Sequence, residues 1–142
     1  MQLDFNQKWI LITGASSGLG REMARQLAHQ HQANLIIVAR RKAKLEELKR
    51  ELEEQAKVQV TVMTADLSIP EQVDQVIAQS IAEGQLYGVI LNAGTTYFGK
   101  QNELPWEQFE TLMQTNIMGL VRMINPLVKY FEVPERSGGI MI

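Results

Sequence analysis

Compact apolar runs alternate with apolar stripes at helical spacing along this whole chain, and that alternation restricts it to one class of fold. Trp9 to Ile12 is an apolar run stopped by Thr13 and Gly14, the pattern of a buried strand ending in a tight turn. From Leu19 the period changes. Leu19, Met23 and Leu27 recur every four residues with Ala24 and Ala28 beside them, which predicts one face of a helix. Leu35 to Ala39 is a second buried strand, and Lys42 to Lys57 a highly charged helix with a stripe of Leu45, Leu48 and Leu52. Val58, Val60 and Val62 alternate with polar residues, as in a strand open on one face. Pro70 suits a first helical turn, and Val73, Val76, Ile77 and Ile81 supply the stripe behind it. Gly88 to Leu91 is a fourth strand. Pro105 then opens a long helix reaching Tyr130, with Phe109, Leu112, Met113, Leu120, Val121 and Ile124 along it. Asn125-Pro126 should kink or interrupt that helix. Gly138-Gly139 is a turn, and Ile140 to Ile142 begins a fifth strand. The expected fold is α/β, a parallel sheet of about four to five strands with helices on both faces.

The 142 residues suit one domain, and 45% hydrophobic content supports a core in a chain of this length. Charged residues make up 21% and the formal net charge is −2, without the gathered basic excess that marks a nucleic-acid binder. There is no cysteine, so disulfides and thiolate metal sites are excluded. Met1 to Lys8 is mixed and polar, with no apolar signal core, and no apolar run approaches the roughly 20 residues that span a bilayer. The expectation is a soluble cytoplasmic domain. The sequence ends inside an apolar run, so domain 1–142 reads as truncated at its C-terminal side.

The segment most loaded with chemistry is Thr13-Gly14-Ala15-Ser16-Ser17-Gly18-Leu19-Gly20, set between a strand and a helix. Gly14 allows a sharp turn, Gly18 lets backbone approach a pyrophosphate, and Gly20 permits close helix packing. A helix start adds free N–H groups and a positive dipole end. A glycine-rich turn with no ligand is the plainer reading, and the flanking strand and helix weigh against it.

Thr13 to Gly20 resembles the cofactor loop of the short-chain dehydrogenase/reductase family. The resemblance continues in order: Asp66-Leu67 after the third strand, Asn92-Ala93-Gly94 after the fourth, and Asn116 within the long helix. It covers Lys8 to Ile142 and implies a Rossmann-like doubly wound sheet, incomplete at its C-terminal side. It also implies a hydride transfer between nicotinamide and a carbonyl or alcohol substrate. Where members of the family that use NAD tend to carry an Asp, this chain has Ala39, followed by Arg40 and Arg41. A carboxylate there repels a 2′-phosphate, whereas a guanidinium grips it in a bidentate fork. Arg40 is therefore expected to hold a 2′-phosphate with Arg41 as helper, giving NADP rather than NAD as cofactor. The alternative is that both merely open a solvated helix.

The resemblance assigns the pyrophosphate to Gly14, Ser16, Ser17, Gly18, Leu19 and Gly20, the adenine to Asp66 and Leu67, and the nicotinamide ribose to Asn92, Ala93 and Gly94. The plainer alternative for Asp66 is a helix N-cap, since Asp66, Ser68 and Pro70 all suit a helix entry, and the motif order weighs against it. The family often places a second Asn before that triplet, where this chain has Leu91. Asn116, a polar residue among Leu112, Met113, Ile117 and Leu120, must find partners or bear a desolvation cost. By resemblance it orders helix backbone and a water beside the catalytic centre; alternatively it faces solvent or fills a helix bend.

The rest of that centre is expected to be missing. The family's acid/base is a Tyr followed four positions later by a Lys, whose charge lowers the Tyr pKa. Positions four beyond Tyr87, Tyr97 and Tyr130 are Leu91, Gln101 and Pro134. Neither Tyr130 nor Ser137 is promoted into a vacant role. The expectation is the cofactor-binding part of an NADP-dependent oxidoreductase, inactive alone. The alternative is a nucleotide-binding module or pseudoenzyme without redox activity. An unfinished sheet edge and an apolar long helix predict self-association as a homodimer or larger homo-oligomer. No metal, membrane or nucleic-acid partner is expected. His29 and His31 do not share a helix face, and seven Met residues read as core filler.

Overall fold

The computed structural model describes residues 4–82, 85–136 and 138–142. Five parallel strands form one sheet in the order β3-β2-β1-β4-β5: β1 Trp9–Thr13, β2 Asn34–Ala39, β3 Val60–Thr64, β4 Leu86–Leu91 and β5 Gly139–Met141. The helices are α1 Gly18–His31, α2 Lys42–Gln55, α3 Pro70–Ile81, α4 Trp106–Met113 and α5 Gly119–Phe131. β1 and β2 are buried along nearly their whole length because helices cover both of their faces, which explains runs without polar alternation. β3 borders the sheet, and its Thr61 and Thr64 are exposed.

Alternate side chains of each strand serve two separate cores. Ile10, Ile12, Leu35 and Ile37 pack against α1 and α2, while Leu11, Ile36, Val38 and Val89 pack against α3 and α5. The Leu45, Leu48 and Leu52 stripe of α2 is fully buried, as its spacing predicts. The stripe on α1 differs from expectation. Leu19 is 76% exposed, and the buried line is Gly20, Ala24 and Ala28. Small residues let the helix lie close to the sheet; Met23 and Leu27 sit at the margin of that contact.

The long helix also departs from expectation. Pro126 lies inside α5 without ending it. The irregularity comes earlier, as a π-helical turn over Gln114–Met118 between α4 and α5. Met123, Leu127 and Tyr130 seat α5 on the sheet on both sides of the proline, so packing keeps the helix continuous where the proline could have interrupted it. Among the described residues no helix is long and apolar enough to cross a membrane.

Candidate functional site

β1 pairs with β2 on one side and β4 on the other, so the chain leaves β1 and β4 in opposite directions. The carboxyl ends of strands at such a reversal open a crevice. A cleft of about 260 Å³ lies there, lined by Gly14, Ser16, Ser17, Arg40, Arg41, Asp66, Leu67, Asn92, Ala93 and Gly94, together with Ala39, Ala65, Thr95 and Thr115. Four loops, one after each of β1 to β4, thus bring most of the residues singled out in the sequence to one place. Gly18, Leu19, Gly20 and Asn116 do not line the cleft. Ala65, Thr95 and Thr115 were not singled out. Their only signal is position, since each directly adjoins a motif residue.

The loop after β1 is fastened on three sides. Gly14 has φ +70°, and a Cβ there would stand 2.9 Å from the Ala93 Cα, so both conformation and space demand glycine. The Ala15 N–H donates to the Val38 carbonyl at 3.2 Å, tying the loop to β2. The Ala93 N–H donates to the Thr13 hydroxyl at 3.0 Å, and Asn92 Nδ2 donates to the Thr13 carbonyl at 3.3 Å. Asn92 therefore fastens β4 to β1 with its side chain. A Cβ on Gly20 would fall 2.6 Å from that same Asn92 nitrogen, which is why α1 can begin so close to the strands. Above Gly18 nothing lies within 4 Å, leaving the loop backbone open to a ligand.

The two arginines after β2 point to different partners. Arg41 Nη2 donates to Ser17 Oγ at 2.6 Å and to Ser16 Oγ at 3.0 Å. Arg40 acts on Asp66 by charge. Burial by itself pushes the Asp66 carboxyl up, but the Ser68 hydroxyl, the Ser68 N–H and the Arg40 guanidinium together hold it below its ordinary value. Asp66 is not the N-cap of α3: that position is Ile69. Its Oδ1 instead accepts from Ser68 N–H at 3.0 Å and Ser68 Oγ at 2.7 Å, closing a turn before the helix.

Asn116 stands in the π-helical turn, and its amide takes both backbone groups of Thr95. Oδ1 accepts from the Thr95 N–H at 2.8 Å, and Nδ2 donates to the Thr95 carbonyl at 2.7 Å. Asn116 is itself exposed, as the solvent-facing alternative has it, so no desolvation cost enforces this pairing with the chain just beyond Gly94. Tyr87 packs edge-on to Phe5, and Tyr130 is buried under the Arg136 guanidinium, so neither lines the cleft. Ser137 lies outside the described residues.

The donor set fits a phosphorylated dinucleotide. Two guanidinium groups line the cleft with Gly14, Ser16 and Ser17, and α1 begins next to it, with Ser17 making no side-chain capping bond. Comparison with known proteins agrees. A family profile described as short chain dehydrogenase matches residues 8–142. The 7beta-hydroxysteroid dehydrogenase of Mediterraneibacter gnavus is 29% identical over 136 residues, covering 95% of this chain and 51% of that protein. A short-chain dehydrogenase from Sphingobium yanoikuyae, solved in complex with NADPH, superposes with a TM-score of 0.86 at 31% identity, over 94% of this chain and 51% of its own. L-sorbose reductase from Gluconobacter frateurii, solved with NADPH and L-sorbose, gives a TM-score of 0.85 at 30% identity, over 97% of this chain and 53% of its own. The chain therefore spans about half the length of the relatives it matches. Matched by that profile over residues 8–142, the chain belongs to the short-chain dehydrogenase/reductase family.

Proposed function

We propose that the cleft binds NADP(H) in preference to NAD(H), as the cofactor-holding part of an oxidoreductase acting on a small carbonyl or alcohol substrate. The observation that carries this reading is the end of β2: Ala39 in place of a carboxylate, with both Arg40 and Arg41 on the cleft wall. NADPH in the solved relatives from Sphingobium yanoikuyae and Gluconobacter frateurii supports it. Gly14 to Gly20 and the start of α1 would hold the pyrophosphate. Arg40, with Arg41, would hold the 2′-phosphate. Asp66 and Leu67 would bound the adenine, and Asn92, Ala93 and Gly94 would pass the nicotinamide ribose. Asn116 would fix the Thr95 backbone beside the reacting ring. The bound cofactor supplies the hydride chemistry, and the protein supplies position. No tyrosine in these 142 residues has a lysine four positions on, so we expect them to bind the dinucleotide without turning over substrate.

Calorimetric titration with NADPH and, separately, NADH tests the reading. At least tenfold tighter binding of NADPH is the expected result, since a bidentate guanidinium–phosphate contact contributes on the order of 1.5–3 kcal/mol. Equal affinity would remove the specificity argument, and binding of neither would remove the cofactor argument.

We further propose that α4 and α5 mediate homodimerisation or larger self-assembly. α4 buries none of its residues, and Trp106, Phe109, Met113, Ile117 and Val121 are exposed along it and its continuation.

A further inference from the structure

Ser17 precedes α1 with extended backbone, the place from which a serine hydroxyl ordinarily accepts a hydrogen bond from the second or third helical N–H. It makes no such bond. Its Oγ instead accepts from Arg41 Nη2 at 2.6 Å, while Ser16 Oγ accepts from the same nitrogen at 3.0 Å and from Arg41 Nε at 3.3 Å. The guanidinium reaches back from the residue just before α2 and holds the hydroxyl away from the end of α1.

We propose that Arg41 is a positioning residue for the pyrophosphate, because holding Ser17 off α1 leaves the N–H groups of Leu19 and Gly20 unfilled for an anion. The proposal rests on the dinucleotide reading above. A capping hydroxyl and a phosphate oxygen compete for the same helix-end donors. Removing the guanidinium frees Ser17 to cap, and a ligand must then displace it. A second consequence follows from hydroxyl chemistry. Once Ser16 and Ser17 accept from Arg41, their own O–H hydrogens remain as donors toward the cleft. Arg41 in this role acts on any dinucleotide, whereas the phosphate contact proposed for Arg40 exists only with one that carries a 2′-phosphate.

The test is calorimetric titration with NADH and NADPH of the parent chain and of Arg41→Gln, Arg40→Gln, and Arg41→Gln combined with Ser17→Ala. Amide exchange of Leu19 and Gly20 is followed alongside, without ligand. Arg41→Gln should weaken NADH about fivefold, the scale of a typical helix cap. It should also slow exchange at Leu19 or Gly20, as Ser17 takes up the cap. Arg40→Gln should weaken NADPH more than it weakens NADH, and should leave exchange at Leu19 and Gly20 as in the parent. Adding Ser17→Ala to Arg41→Gln should restore both NADH affinity and fast exchange, without restoring the preference for NADPH. Unchanged NADH affinity in Arg41→Gln, or a double variant no better than the single one, overturns the proposal alone. A parent chain that binds neither dinucleotide overturns the cofactor reading and this inference with it.

Discussion

The two faces of the sheet are finished in different ways. On the α1–α2 face, Ala24, Ala28, Leu45, Leu48 and Leu52 are all at 0% exposure, and the outer surfaces of the two helices are joined by charge. Arg25 grips Glu51 with both Nε and Nη2, at 2.6 and 2.9 Å, and Arg21 reaches Glu47 at 2.9 Å. On the opposite face α5 buries Met123, Leu127 and Tyr130, but α4 buries nothing and the connection between them loosens into a π-helical turn. The first face has a narrow apolar stripe backed by polar residues, the signature of a helix that needs only its own sheet. On the second, Trp106, Phe109, Met113, Ile117 and Val121 are exposed among charged and polar residues, an apolar line with no cover among the described residues. That π-helical turn carries Asn116, which fastens the Thr95 backbone beside the cleft.

Three perturbations break or sharpen this contrast. The largest is Leu48→Ala, which opens a cavity in the finished face and should cost about 3 kcal/mol. A urea unfolding series measures it, and a loss below about 1 kcal/mol would mean that α2 is less firmly seated than its burial implies. Next comes Phe109→Glu on the exposed line of α4. Fold stability should stay within about 0.5 kcal/mol, while the dissociation constant for self-association rises more than about tenfold. Sedimentation across a wide concentration range decides it; a parent chain that is monomeric throughout would end the idea that this face pairs. The smallest effect is electrostatic. The Arg25 guanidinium hydrogen-bonded to Glu51 holds that carboxyl below its ordinary value, despite some burial. A depressed folded-state pKa means the stabilisation is complete above the unfolded value, about 4.3, and is lost as pH falls through the folded one. Glu51→Gln should therefore flatten the fall in stability below about pH 4, by no more than about 1 kcal/mol for so accessible a pair. A parallel acid profile in the two proteins would mean that the pair contributes nothing measurable.

Much of the fold was legible because its signals are local. All five strands were visible as apolar runs or alternation, and the α2 stripe was visible as leucines at helical spacing. Two expectations failed for one reason. Leu19 belonged by spacing to an apolar face but is exposed, because α1 approaches the sheet on Gly20, Ala24 and Ala28. Asn125-Pro126 read as a kink or an interruption, yet the helix runs on through Pro126 and the interruption lies at Gln114–Met118. In both cases tertiary packing overrode a local rule. At the site, the order of Thr13–Gly20, Asp66, Asn92–Gly94 and Asn116 marked the residues, but not their partners. The Asp66 cap became a turn with Ser68, and Arg41 turned to the two loop serines.

The sequence by itself determined the parallel α/β architecture, the loop able to approach a phosphate, and the replacement of a carboxylate by Ala39 and two arginines. These depend on period, chirality and residue chemistry, which operate over a few neighbours in the chain. Only the tertiary structure decided that Asn92 closes β4 onto β1, that Asn116 holds Thr95, and that Arg41 takes the Ser17 hydroxyl from the end of α1. Those contacts join residues 21 to 79 positions apart. No local propensity encodes them, because each exists only where the sheet brings separate loops within hydrogen-bonding distance.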